Sequence, residues 1–157
     1  MINGKQKIKT DEWKTPGWLF NQLNARFNFT IDAAAHHWAC KVYQEKIING
    51  KVVNWPNFFA DGLEASWKNH RVWCNPPFSD KKTWIKKAHD EVLSDCPLCV
   101  MPLPNCIDTI YFNKYIDKKF HWEHLPYRVS FLDENNKPIS GNPSGTILVY
   151  YWDKIVR

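Results

Sequence analysis

The tetrapeptide Asn75-Pro76-Pro77-Phe78 follows the apolar run Val72-Trp73-Cys74 directly, and it restricts what this part of the chain can become. Two consecutive prolines fix φ, remove two backbone donors and end any strand that reaches them. Pro77 also pushes Pro76 toward an extended conformation. The result is a stiff loop at a strand end. Chemically it is a clamp for a planar amino group. The Asn75 side-chain oxygen and the Pro76 carbonyl can both accept from one NH2, and Phe78 offers a ring face on which a base can stack. A group held in this way is the exocyclic amine of adenine or the carboxamide of glutamine. Asn-Pro-Pro alone is also an ordinary loop breaker. Context favours the clamp: Ser79 to Leu93 reads as a helix capped by Ser79. Strand, rigid polar loop and helix is the arrangement that places chemistry at the carboxyl ends of strands.

The other elements alternate in the same way. Thr15 to Phe27 reads as a helix, with Thr15 as N-cap, Pro16 in the first turn and Leu19, Phe20, Leu23 and Phe27 at helical spacing. The alternation Phe27-Asn28-Phe29-Thr30-Ile31 predicts the start of a strand that ends at Asp32-Ala33-Ala34-Ala35. Residues 33–43 are expected to be helical. Asn49-Gly50 between Ile47-Ile48 and Val52-Val53 signals a hairpin. Phe58-Phe59-Ala60 is a short apolar run ending at Asp61-Gly62. Residues 98–103 read as a strand, 107–119 as a helix, and 128–132 and 146–152 as two adjacent strands with an antiparallel finish. Strands alternating with helices predict an α/β sheet.

At 157 residues the chain fits one domain (13–157) behind a polar, loose segment (1–12). An aromatic content of 15% argues against disorder. The absence of a long apolar stretch and of a signal-like start points to the cytoplasm. Five cysteines, an odd number, fit free thiols in a reducing compartment. Cys96-x-x-Cys99 has no second pair at metal spacing and Cys99 lies in an apolar run, so no metal site is expected. The net charge of +5 permits phosphate binding. Lys81, Lys82, Lys86 and Lys87 read either as the solvated face of a helix or as a basic face beside the clamp. His36, His37, His89, His121 and His124 read as surface or capping residues.

Three polar groups, Asp32, Asp61 and Asn75, thus fall at the ends of three predicted strands, after Thr15-Pro16. With these residues the chain resembles the phage-type DNA N6-adenine methyltransferases, small relatives of the Dam enzymes. The resemblance is carried by Asp11-Glu12-Trp13 with Thr15-Pro16, Ile31-Asp32-Ala33-Ala34-Ala35, Asp61-Gly62-Leu63 with Trp67, and Val72 to Phe78 with Trp84. It is weaker at Met101-Pro102-Leu103-Pro104, Arg128-Val129-Ser130-Phe131 and Pro143-Ser144. It implies a single Rossmann-like methyltransferase domain, with a mostly parallel sheet and an antiparallel C-terminal strand. It implies S-adenosylmethionine as methyl donor and double-stranded DNA as partner. Asn75, Pro76, Pro77 and Phe78 would form the catalytic loop, and Thr15, Pro16, Asp32 and Ala33 would lie near the cofactor. Asp61 would contact cofactor or base, and Lys81 and Lys82 the DNA backbone.

The sequence departs from this pattern at three points. Asp32-Ala-Ala-Ala35 stands where many methyltransferases carry Gly-x-Gly. Phe78 stands where Tyr is common. There is no separate target-recognition domain. The chemistry of a direct methyl displacement on a flipped-out base needs no triad, metal or imidazole. Two rivals use the same residues: methylation of a protein glutamine, and a silent nucleic-acid-binding module that keeps the fold.

Overall fold

The computed structural model describes residues 13–35, 39–139 and 144–152. The expected loose segment 1–12, His36, His37 and Pro143 lie outside them. The core is a five-stranded sheet in the order β1-β4-β5-β7-β6, with β1 Ile31–Asp32, β4 Arg71–Trp73, β5 Leu98–Pro104, β6 His121–His124 and β7 Thr146–Tyr151. The pairs β1/β4 and β4/β5 are parallel, whereas β7 runs antiparallel to both β5 and β6. The sheet is therefore mixed, with β7 alone reversed.

Period-two side-chain alternation divides the buried residues between two faces. One face carries Val72, Cys74, Cys99, Met101, Leu103, Ile147, Val149 and Tyr151, packed with Trp84, Ile85, Ala88 and Val92 of α2 (Lys81–Ser94) and Phe112 of α3 (Ile110–Tyr115). The other carries Trp73, Leu98, Val100, Leu148 and Tyr150, packed with Leu19, Phe20, Leu23 and Phe27 of α1 (Gly17–Phe27). Burial on both faces explains why β5 and β7 read as continuous apolar runs.

Several sequence expectations change. α1 begins at Gly17, with Pro16 as N-cap, and Thr15 makes no capping bond. Phe27, Phe29 and Ile31 are buried as their alternation implies. The backbone there is a helix end, however, with Asn28 left-handed at φ 50, and only Ile31–Asp32 is strand. The helix expected over 33–43 is replaced where described: Ala33-Ala34 is a turn and Tyr43 opens a strand. Long-range bonds override helical propensity there. Lys41 N–H donates to Asp32, and the Val42 carbonyl accepts from Asn57 N–H.

Ser79 does not cap α2; a 3-10 turn, Phe78–Asp80, intervenes. The helix expected over 107–119 is only Ile110–Tyr115, capped by the Thr109 hydroxyl, and Lys118 is left-handed at φ 59. Residues 128–131 form no strand; only Leu132 pairs, with Lys14 and Pro138. The outer partner of β7 is instead His121–His124, whose exposed, polar pattern hid it.

The hairpin is as expected. β2 (Tyr43–Ile48) and β3 (Lys51–Pro56) pair antiparallel across Asn49 and Gly50, with φ of 49 and 74. Both φ values are positive, as a type I′ turn requires.

The contrast between sheet and hairpin is measurable. Ile147→Ala, in a fully buried position of β7, is expected to cost about 2–5 kcal/mol in urea unfolding. Ile47→Ala, 76% exposed on the hairpin, should stay within about 0.5 kcal/mol.

Candidate functional site

Cys74 is the last residue whose backbone is bound into the sheet; its N–H reaches the Val100 carbonyl at 3.1 Å. The chain then leaves β4 through Asn75, buried Pro76 and Pro77 into the 3-10 turn. The Asn75 amide is oriented by one bond: Nδ2 donates to the Trp13 carbonyl at 3.0 Å. An amide has one donor end and one acceptor end. With Nδ2 committed, Oδ1 is presented as an acceptor, and it is buried with no partner among the described residues.

The segment that supplies the Trp13 carbonyl is fixed on two sides. Lys14 and Leu132 exchange two backbone bonds of 2.8 and 2.9 Å. The Trp13 ring stacks on Phe131 at 6.1 Å, and Phe78 meets both rings edge-on at 5.7 and 5.5 Å. Phe78 is thus half-buried and both braced by the core and part of the loop. The Thr15 hydroxyl and Trp13 Nε1 are also buried without partners among the described residues. Buried polar atoms are paired in the large majority of cases. Three unpaired ones among the described residues, at Trp13, Thr15 and Asn75, make this the candidate place for a polar ligand. Thr146, at the start of β7 opposite Pro104, adds another unpaired buried hydroxyl at the same end of the sheet.

Asp32 and Ala33 form the neighbouring strand end and are 3% and 2% exposed. Ala33 N–H donates to the Trp73 carbonyl at 2.9 Å, tying this turn to β4. Burial pushes the Asp32 carboxyl up to about 7, opposed by the N–H and charge of Lys41 and the N–H of Ala34. Lys41 N–H donates to Asp32 Oδ2 at 2.9 Å.

Asp61 is exposed, and its carboxylate accepts from Leu63 and Glu64 N–H at 3.0 and 3.3 Å. Those bonds make it the former of its own turn. Its neighbour Gly62 carries the tighter constraint: a Cβ there would lie 2.0 Å from the Ala33 carbonyl oxygen and 2.9 Å from Trp84. Only glycine allows the 61–62 and 32–33 turns to meet. The Gly62 carbonyl also accepts from Trp67 Nε1 at 2.8 Å.

The lysines after the loop differ from one another. Lys81 Nζ folds back onto the Phe78 carbonyl at 3.2 Å. Lys86 pairs with Asp90, and Lys87 with Glu91, each at 2.5 Å. Lys82 is exposed. All five cysteines are buried and free, and burial pushes the Cys96 thiol up to about 12. Among the described residues no group of three or more His, Cys, Asp or Glu side chains is placed to hold a metal. No described helix is long and apolar enough to cross a membrane. A cavity of about 300 Å³ opens between α1 and the β6–β7 edge, lined by Leu19, Arg26, Glu123 and Tyr150 among others. None of the sequence-predicted site residues lines it. The unpaired polar atoms lie elsewhere, and they rather than cavity size locate the candidate site.

Sequence reasoning singled out Asp32, Ala33 and Asn75, which the sheet brings to adjacent strand ends, and Thr15, which follows the Trp13–Lys14 segment bound to Asn75 and Leu132. It did not single out the Trp13 carbonyl, Gly62 or Thr146 as working parts. Gly62 left a signal, a glycine directly after a strand-end aspartate. Thr146 left only a hydroxyl at the head of an apolar strand.

Sheet and site together define an α/β protein with an amide acceptor presented at the carboxyl end of a central strand. The chain matches the DNA N-6-adenine-methyltransferase (Dam) family over residues 3–155 and belongs to that family. It is similar to the DNA N-6-adenine-methyltransferase of Haemophilus phage HP1, 26% identical over 145 residues, which span 85% of this chain and 78% of that protein. Methylation of adenine in DNA is thus the activity at the level of the family.

Two outcomes follow from this geometry. Gly62→Ala should lower the melting temperature through a loss of about 1–3 kcal/mol, because backbone must move to admit the methyl. Asp32 has a folded-state pKa of about 7 against an ordinary 3.8, so the native state holds a proton that the unfolded chain releases. Its contribution is fully present below about pH 4 and is lost as pH rises to about 7. Asp32→Asn keeps the acceptor for Lys41 but cannot ionise. Across that window its stability relative to the wild type should rise, by up to about 4 kcal/mol, as read by urea titrations at several pH values.

Proposed function

We propose that this protein transfers a methyl group from S-adenosylmethionine to the N6 amine of an adenine flipped out of duplex DNA. The observation that carries the reading is Asn75: its donor end is held by the Trp13 carbonyl and its acceptor end is buried and unpaired among the described residues. An acceptor without a donor in a low-dielectric site is costly unless a ligand N–H completes it. An aromatic amine supplies that N–H. Its lone pair is delocalised into the ring, which makes it a poor nucleophile. Asn75 Oδ1 and the Pro76 carbonyl would each accept one of its hydrogens and favour a tetrahedral nitrogen with a localised lone pair. The prolines keep both acceptors in place, and positioning of this kind contributes about 7–11 kcal/mol. S-adenosylmethionine, when bound, supplies an electrophilic methyl group on sulfur.

The residues present fit that donor. Thr15 offers a buried, unpaired hydroxyl. Pro16, Asp32 and Ala33 form small surfaces at the adjacent strand end, and Asp32 keeps acceptor capacity beyond its bond from Lys41. Asp61 contributes by shaping the turn that abuts Ala33. Phe78 would stack on the extruded base, which offsets part of the roughly few kcal/mol needed to unstack it. Lys81 braces the loop from below, and exposed Lys82 is the one of the pair suited to a backbone phosphate.

The test uses tritiated S-adenosylmethionine with unmethylated duplex DNA and, separately, with cell protein. Label should appear in DNA as N6-methyladenine. Asn75→Ala should reduce transfer by about 100-fold or more, with the fold intact and a stability loss of only about 1 kcal/mol from the severed Trp13 bond. Label on protein glutamine, or normal turnover by Asn75→Ala, would overturn the assignment.

A further inference from the structure

The β2–β3 hairpin has a structural cost that the site described above does not explain. Every residue of β2 and most of β3 are exposed on both faces of the ribbon. A two-stranded ribbon of this kind is marginal in water by itself. It nevertheless carries Tyr43, Ile47, Val52 and Trp55 into solvent, with Ile47 and Val52 76% and 65% exposed. Of these, Ile47 and Val52 are direct cross-strand partners, and an exposed apolar pair at the tip of a ribbon suits a contact surface.

Register sorts the ribbon into two faces. Gln44, Lys46 and Ile48 share one face with Trp55, Val53 and Lys51, their cross-strand partners. Lys46 Nζ lies 5.7 Å from the Trp55 ring centroid. Ile47 and Val52 pair on the opposite face next to the turn. The ribbon, Tyr43–Pro56, holds two lysines, Lys46 and Lys51, against one glutamate, Glu45, so it is net cationic and suits a polyanion.

Its root fixes where it stands. Lys41 N–H is bound by Asp32 Oδ2, Asn57 N–H by the Val42 carbonyl, and Asp32 N–H by the Asn57 carbonyl. Both legs are therefore anchored on the turn at the end of β1, one strand from the loop that leaves β4.

Building on the function proposed above, we infer that the hairpin is the element that enters a groove of the DNA duplex beside the target base. Six residues per strand give a ribbon about 20 Å long, and the major groove, about 12 Å wide, admits a two-stranded β-ribbon. Lys46 and Lys51 meet phosphates. The Ile47–Val52 pair near the tip meets base edges, where an apolar side chain can distinguish the thymine methyl group. Asp32 is then a positioning residue as well: its carboxylate ties the groove-entering ribbon to the strand end beside Asn75.

The experiment measures fluorescence anisotropy of a labelled 30-base-pair mixed-sequence duplex at several salt concentrations. Wild type is compared with Lys46→Glu/Lys51→Glu and with Lys118→Glu/Lys119→Glu, at the opposite end of the sheet. The hairpin variant should bind about 10- to 100-fold more weakly, and its salt slope should fall by nearly two, about 0.9 per lost phosphate contact. Its melting temperature and its kcat at saturating DNA should be unchanged, with KM for DNA raised. The control should lose far less. A wild type that methylates DNA beside a hairpin variant with the same affinity and slope overturns this inference and leaves the function standing. A wild type that neither binds nor methylates DNA overturns both. Sedimentation showing that the hairpin variant converts a dimer to a monomer, with DNA binding unchanged, would reassign the ribbon to self-association.

Discussion

The bond from Asn75 Nδ2 to the Trp13 carbonyl is the constraint on which the candidate site depends. Without it the amide could turn either end toward a ligand and would select neither donors nor acceptors. With it, the residue offers an acceptor only. The bond also requires Trp13 to arrive at the end of β4, although 62 residues of chain separate the two. That arrival is secured by the Lys14–Leu132 backbone pair and by the stacking of Trp13 on Phe131. Three remote parts of the chain therefore have to fold together before the loop can discriminate.

Sheet architecture makes this assembly possible. With α1 on one face and α2 and α3 on the other, lateral access to the central strands is closed, and their carboxyl ends remain as the place where polar atoms can gather. Asp32 at the end of β1, Asn75 just past β4 and Thr146 at the start of β7 lie along that edge. The contact between Gly62 and Ala33 shows how tightly the edge is packed, since a single methyl group has no room there. The cysteines illustrate the complementary rule. Cys74, just past β4, and Cys99 on β5 lie on the α2-facing side of the sheet, fully buried, and burial holds both thiols far above their ordinary range and unreactive.

What could be read from the sequence follows from how local each signal is. Helical spacing at Leu19, Phe20, Leu23 and Phe27, the Asn49-Gly50 turn and the strand-ending Asn-Pro-Pro all act within a few residues, and all three appear in the structure. Some of the failures are boundary errors, such as Ser79 and the shortened α3; the larger ones come from tertiary context. Residues 39–43 leave the expected helix because Asp32 and Asn57 bind Lys41 and Val42. Arg128 to Phe131 looked like a strand because Val129 and Phe131 alternate into the core, but its edge pairs only through Leu132. His121–His124 looked polar because three of its residues are exposed at the edge of the sheet. The candidate site could be read from the sequence only as a set of residue types at strand ends. Its geometry could not, because the Trp13 carbonyl is backbone and leaves no trace in side-chain identity.

Charge adds a last step. The run Lys81, Lys82, Lys86, Lys87 reads as a basic face, yet three of the four are committed internally: Lys81 to the loop it follows, Lys86 to Asp90 and Lys87 to Glu91. Lys87 also lies near the Trp67 ring, and Glu91 accepts from Trp67 N–H. These bonds couple α2 to the segment behind Gly62, so their role is to hold the sheet edge together. An ammonium already paired with a carboxylate releases fewer counterions on meeting a phosphate, because its own partner must first be displaced. Of the lysines on α2 and the hairpin, Lys82, Lys46 and Lys51 are the exposed ones without a carboxylate partner among the described residues. Under the function proposed above, they are the lysines of these two elements left to meet the phosphates of the substrate.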